Sequence, residues 1–175
     1  MSAQIKYDSR LISISNATDT ELIVLARITE DKSVMRSVGR GEVWSYDKLV
    51  DLRQQSREDD AGNQNKRQYY HWLLLIKHSN ALESVQGYVG LHPYGKLGLQ
   101  LRTLVGTSGL GYGTIAGNLA VQTYYKLPIR HSRVWSVIAA DNTKSLHMRE
   151  KNRDWLFVKL EPLYGKVHKV FVYNP

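Results

Sequence analysis

The run Gly106-Thr-Ser-Gly-Leu-Gly-Tyr-Gly113 places four glycines in eight residues between two segments of different periodicity. Before it, Leu97–Val105 alternates, with Leu97, Leu99 and Leu101 on one side against Gln100 and Arg102 on the other, as a strand does. After it, Tyr112, Ile115, Ala116, Leu119, Ala120, Thr123 and Tyr124 recur at helical spacing until Lys126-Leu-Pro128 ends the helix. A glycine-dense link of this kind lets backbone come close to something. Without Cβ atoms, successive N–H groups converge on an anion, and the helix N-terminus adds about half a positive charge. A phosphate is the natural ligand, although a tight turn needing positive φ accounts for the same glycines. Two nucleotide patterns are excluded. No Lys precedes Thr114, so there is no P-loop. Gly106, Gly109 and Gly111 lack G-x-G-x-x-G spacing, and the position about 20 residues on, where that pattern needs an acid, falls near Arg133.

The rest of the chain surrounds this loop with short elements. Leu11–Ser15 alternates as a strand, and Asp19 and Thr20 offer N-caps to a helix over Glu21–Glu30. Residues 36–43 read as a loop, and Ser45 caps a helix over Tyr46–Arg57 with Leu49, Val50 and Leu52 inward, ending loosely at Asp59–Asn63. Tyr69–Lys77 is almost continuously apolar, as for a strand covered on both faces. Val85–Leu91 alternates, and His92-Pro-Tyr-Gly95 has hairpin chemistry. Val134–Ala139, Trp155–Leu160 and Val167–Tyr173 read as strands, and Asn142–Asn152 as a helix. The order β-α-α-β-β-β-α-β-α-β-β predicts one α+β domain over residues 1–175, built on a mixed sheet.

Composition narrows the chemistry. The chain has no Cys, which excludes thiolate zinc sites, a cysteine nucleophile and a disulfide framework. The six His, at 71, 78, 92, 131, 147 and 168, form no i, i+4 ligand pair, so no metal is expected. No G-x-S-x-G elbow supports a hydrolase triad. The longest apolar run, Trp72–Ile76, is far short of the ~20 residues that span a bilayer. Met1–Arg10 lacks the apolar stretch of a signal peptide, so no membrane partner and a cytoplasmic location are expected. The net charge of +8 points to an anionic partner. Basic and aromatic residues mix at Lys66–Trp72 and Tyr124–Lys126, which allows nucleic-acid stacking, but the first set lies in an apolar strand and packing is the favoured reading. Glu58-Asp59-Asp60 reads as solvated surface, or as a lure for a cationic molecule.

Ser108-Gly-Leu-Gly-Tyr-Gly113 with its following helix resembles motif A of the GNAT N-acetyltransferase superfamily, Gln/Arg-x-x-Gly-x-Gly/Ala. Val134–Ser145 followed by Glu150-Lys151 resembles the strand and the N-x-x-S…E-K segment of the same superfamily. Val34-Met-Arg36, Trp44-Ser-Tyr46 and Gln86-Gly-Tyr-Val-Gly-Leu91 resemble its ribosomal-protein N-terminal acetyltransferase-like branch. Two positions depart from the pattern. Ser108 stands at the Gln/Arg position, and Asn152-Arg-Asp-Trp155 replaces the usual Gly-Phe, a change expected to alter the turn into the strand and not the cofactor side.

The resemblance implies a mostly antiparallel sheet of six to seven strands with about four helices, acetyl-CoA as donor, and a primary amine as acceptor: a protein N-terminus, a polyamine or another small amine. A homodimer also fits the superfamily. The backbone of Leu104 and Val105 is expected along the pantetheine arm, the amides of Gly109, Leu110, Gly111, Tyr112, Gly113 and Thr114 around the pyrophosphate, and Asn142 beside the arm. Lys144, Arg149 and Lys151 are expected to form a basic rim. Many members carry a Tyr general acid where this chain has Arg149, so Ser145 is the candidate acid, and is equally readable as a residue of the helix N-terminus. No general base is assigned, because Gly98, Leu99 and Gln100 stand where a Glu is often found. His92, Tyr164 and His168 are candidates for the acceptor end and also for structural roles. The rival reading is a non-catalytic protein of the same fold with a basic nucleic-acid-binding surface.

Overall fold

The computed structural model describes residues 7–174 apart from 37, 39, 79, 80, 108 and 130. β1 (Tyr7–Ser13) leads through a 3-10 turn into α1 (Asp19–Thr29) and the short α2 (Lys32–Met35), and α3 (Tyr46–Ala61) follows a loop. β2 (Tyr70–His78), β3 (Ser84–Pro93) and β4 (Leu99–Val105) then form a meander. α4 (Tyr112–Tyr125), β5 (Val134–Ala139), α5 (Thr143–Lys151), β6 (Trp155–Leu163) and β7 (Lys166–Tyr173) complete the chain. The seven strands form one sheet in the order β1-β2-β3-β4-β5-β7-β6. All neighbours are antiparallel except β4 and β5. The expected fold is the observed one, with five helices rather than about four.

Local chemistry explains where boundaries moved. α1 is capped by Thr18, not by Asp19 or Thr20, because Thr18 has a Glu three residues on. The Glu21 N–H donates to Thr18 Oγ1, and the Thr18 N–H donates to Glu21 Oε2 at 2.8 Å, a complete capping box. β1 starts earlier and ends earlier than expected, since its register with β2 pairs Tyr7 with His78 and Ser13 with Trp72. Beyond Ser13 the chain tightens and drops Ile14 into the core. α3 begins after Ser45 as expected but runs to Ala61, so Asp59, Asp60 and Ala61 are helical rather than loose. β4 begins at Leu99, not Leu97. Gly98 sits at φ +132°, where an added Cβ would come within 2.2 Å of the Arg133 carbonyl, and the chain turns there. β6 and β7 reach further than expected because Tyr164 (φ 51°) and Gly165 (φ 75°) make a two-residue hairpin turn.

The core lies on both faces of the sheet. α1, α2 and α3 cover one face through Leu22, Leu25, Met35 and Leu49 against Leu73, Leu75, Tyr88 and Leu104. α4 covers the other against Tyr70, Trp72, Leu74, Ile76, Val89 and Leu101. β2 is therefore apolar on both sides, as its sequence predicts. Tyr70, His71 and Trp72 are buried in β2, so the packing reading holds for them, while Lys66, Gln68 and Tyr69 lie ahead of the strand and are exposed. On α4, Tyr112, Ala116, Ala120 and Tyr124 are buried as expected, Ile115 and Leu119 pack half-buried against the same core, and Gly117 and Val121 are fully buried in addition. The buried stripe extends to Gly117 because a bare position there lets the helix settle on β4, with the Gly117 Cβ position 3.3 Å from Leu101 Cδ2.

Candidate active site

β4 and β5 are paired only at Leu99–Val134, Gln100–Trp135 and Leu101–Ser136. Beyond Leu101 the two strands part, so β4 runs on through Leu104 and Val105 with its β5 side unpaired. Backbone groups on such an edge need a partner, and an extended ligand supplies one as an added strand would. The gap opens into a cavity of about 120 Å³ lined from both strands and from α4, α5 and the β6–β7 turn.

The glycine loop lies at one end of this gap. Gly109 (φ 90°) and Gly111 (φ 77°) adopt the left-handed conformation, and nothing stands within 4 Å of a Cβ built on either. Gly111 caps α4 without a side-chain hydrogen bond. The first amides of the helix, at Tyr112, Gly113 and Thr114, thus have no intrahelical acceptor and face outward from a positive helix end. Gly113 and Thr114 line the cavity, and Leu110 is exposed. The Tyr112 side chain points the other way, buried edge-on against Tyr7 and hydrogen-bonded to His78 Nε2 at 3.1 Å, which anchors the loop from beneath. Ser108 lies outside the described residues.

α5 forms the opposite wall. Asn142 is its N-cap, with Oδ1 accepting from the Ser145 N–H at 3.3 Å. Asn142 and Ser145 both line the cavity, so Ser145 is a helix-start residue and a cleft residue at once. Of the expected basic rim, Lys144 and Lys151 are exposed, whereas Arg149 turns inward. Its guanidinium stacks 3.9 Å over Trp155, and its Nε is buried with no partner among the described residues. Burial pulls this guanidinium down to about 10. Asn152, expected to affect only a turn, also lines the cavity. It holds the turn through the Asp154 N–H and bonds Asn118 on α4.

A second cavity, about 640 Å³, lies on the α3 side of the sheet. Val38, Arg102 and Tyr164 line both cavities, so the two meet at the β4–β5 gap. His92 and Tyr164 reach the second cavity and His168 the first, so all three acceptor-end candidates face the cleft. His71, Tyr88, Trp44 and Arg102 line the second cavity too, residues to which the sequence assigns no site role. The signal for part of this set is Tyr88-x-Gly-x-His92, which puts two polar side chains on one strand face with a bare position between them. Among the described residues, no cluster of three His, Asp or Glu is placed to hold a metal ion. No helix there is long and apolar enough to cross a membrane.

The acetyltransferase (GNAT) domain family matches residues 10–153, most of the chain. The chain therefore belongs to the GNAT acetyltransferase family, enzymes whose acetyl donor is acetyl-CoA. Its fold is similar to spermidine N-acetyltransferase from Vibrio cholerae in complex with CoA and spermine, at 15% identity and TM-score 0.69, covering 94% of each chain. It is similar as well to a GNAT-family acetyltransferase from Bacillus anthracis (13% identity, TM-score 0.67, 97% of each chain). A third such structure is an N-acetyltransferase from Staphylococcus aureus, at 11% identity and TM-score 0.66, covering 95% of this chain and 98% of that one. No curated protein sequence matches the chain.

Proposed function

We propose that this protein acetylates a primary amine, with the donor held in the β4–β5 gap and the acceptor entering from the α3 side. The observation that carries the reading is the through-sheet opening. One cavity lies under the glycine loop and α5, another under α3, and the two share Arg102 and Tyr164. When bound, acetyl-CoA supplies the activated acetyl group as a thioester. The unpaired β4 backbone at Leu104 and Val105 and the side chain of Asn142 would hold its pantetheine arm. The amides of Gly109–Thr114 would hold the pyrophosphate, which fits a loop with two left-handed glycines and open space around them. Ser145 Oγ is the proposed proton donor to the departing sulfur. Arg149 cannot give up a proton readily near pH 7, but its charge favours the developing thiolate across the same cavity.

For the acceptor, we favour a singly charged amine such as a peptide N-terminus over a polyamine. The second cavity carries Arg40, Lys48 and Arg102 against Glu42 and Asp51, a balance that repels a polycation while Glu42 and Asp51 still attract one ammonium. This agrees with placement beside the ribosomal-protein N-terminal acetyltransferase-like branch, which rests on Gln86–Leu91 and Asn142–Ser145. The assay is thiol release from acetyl-CoA with a panel holding a serine-initiated peptide amide, spermidine and spermine. The chain has no cysteine, so it contributes no thiol signal of its own. Turnover of the peptide above the polyamines is expected. Preference for spermidine would overturn the acceptor assignment. No turnover with any amine, together with salt-sensitive nucleic-acid binding, would overturn catalysis in favour of a binding role for the basic surface.

A further inference from the structure

Three polar side chains meet over a glycine on the α3 side of the sheet. Gly90 of β3 lies opposite His71 of β2, and Tyr88 and His92 flank it on the same strand face. A Cβ on Gly90 would come within 2.2 Å of Tyr88 Oη and 2.8 Å of His92 Nε2, so the bare position is what lets the three converge. His71 Nδ1 is 2.6 Å from Tyr88 Oη, and Tyr88 Oη is 2.8 Å from His92 Nε2. A hydroxyl has one proton, so it donates to one imidazole and accepts from the other. The chain thus has a direction, and it reverses when each proton moves one place. Its free ends are His92 Nδ1 and His71 Nε2.

The placement joins two openings. All three residues line the second cavity, while His71 and His92 also line a further opening bounded by Asp59, Lys66 and Arg67. His92 pairs across β3–β4 with Gln100, which borders the gap, whereas His71 lies one strand further away. Burial keeps both rings neutral, pushing His71 down to about 4 and His92 to about 3, and raises the Tyr88 hydroxyl. The charges facing the chain are Arg102 from β4, Lys66 and Arg67 ahead of β2, Lys48, Asp51 and Asp59 from α3, and Arg40 and Glu42 from the α2–α3 loop. Of these, Arg67 acts on His71 and Arg102 on His92, each disfavouring a lasting positive charge on its ring. A proton arriving on the chain is therefore passed on rather than stored.

We propose that His92, Tyr88 and His71 form a proton relay that carries a proton from the acceptor ammonium to the opening beside Asp59 and Arg67. The proposal rests on the acetyl-transfer reading. An ammonium brings three protons. One leaves through the relay to water, which frees the nitrogen lone pair. The nitrogen then bonds to the acetyl carbon as the carbon–sulfur bond breaks and its electron pair departs on sulfur. Of the two remaining protons, one stays on the amide and one ends on the thiol.

The test combines a spectrum with a rate profile. In 1H–15N NMR of the histidine-labelled full chain, His71 and His92 should remain neutral at pH 5.5 in the absence of any substrate. In Tyr88→Phe, thiol release with the serine-initiated peptide should fall about 100-fold at pH 7. It should approach the wild-type rate above pH 9.5, where the amine arrives already deprotonated. A purely structural Tyr88 would lower the rate equally at every pH, and parallel profiles overturn the relay, as does either ring titrating above pH 6. Should circular dichroism show Tyr88→Phe unfolded, His92→Asn at the less buried end is read in the same way. If wild type acetylates no amine, the acetyl-transfer reading fails and the relay with it. Failure of the relay alone leaves an active wild type with parallel profiles.

Discussion

Replacing Arg149 with methionine removes a charge from the cleft while leaving an unbranched side chain against Trp155. The guanidinium lies at about 10 instead of 12.5 because of burial. At about 1.4 kcal/mol per pH unit, this corresponds to roughly 3 kcal/mol against the charged form. Stacking over Trp155 at 3.9 Å returns up to about 2 kcal/mol. The difference, about 1 kcal/mol, is the expected gain in stability of Arg149→Met, since a thioether also packs well on an indole. For a chain of this size that is a rise in Tm of about 2–4 °C. Urea unfolding followed by far-UV circular dichroism measures it, and thiol release measures the cost. Turnover should fall about 10- to 100-fold as the developing thiolate loses its cation. A variant destabilised by more than about 1 kcal/mol would show that the stack outweighs the desolvation. Unchanged turnover would refute the role given to the charge.

Three further outcomes are expected. Gly111→Glu places a side chain at φ +77° and an anion at the start of α4, so CoA affinity by calorimetry should drop at least about 10-fold for about 1 kcal/mol of stability; retained affinity would displace the pyrophosphate from this loop. Gly87→Ala drives a Cβ to 2.2 Å from the Leu104 carbonyl, so urea unfolding should show a loss above about 2 kcal/mol, and a neutral result would mean that β3 and β4 yield there. His71 and His92 have depressed values in the fold, so the unfolded chain takes up more protons as pH falls below about 6.5. Stability should therefore decline between pH 7 and 5 by up to about 2 kcal/mol for each ring. A urea midpoint in His71→Gln that falls as steeply as in wild type would contradict this.

Features set by a few neighbouring residues were readable in the chain. The glycine loop, the helix after it, the Ser45 cap and the two-faced burial of β2 each follow from local pattern, and each is in the structure. Local rules also placed Asn142 and Ser145 at a helix start. What escaped depends on relations between distant segments. The gap exists because β4 and β5 diverge after Leu101, and no property of either strand alone announces that. His71 reaches Tyr88 through a β2–β3 register that slips at Leu74 and Leu75, so its distance from Tyr88 along the chain gives no hint of contact. Arg149 reads as one more basic residue on a polar helix, and only the position of Trp155 turns it inward. The early start expected for β4 missed Gly98, whose role is fixed by the approach of Arg133.

Leu99, Gln100 and Leu101 are the residues of β4 that ladder to β5, so only a short parallel seam continues the sheet from β1–β4 to β5–β7, supported by side-chain bonds such as Trp135 to the Leu97 carbonyl and Asn152 to Asn118. Breathing of the sheet is concentrated at such a seam, because few hydrogen bonds must open there. In the proposed placement, a donor laid along the free edge of β4 and reaching Asn142 would act as a clamp across it. Its binding should slow amide hydrogen exchange in β7, a strand that borders the seam only through β5. Occupancy of the cleft is then recorded in the rigidity of the sheet's far end.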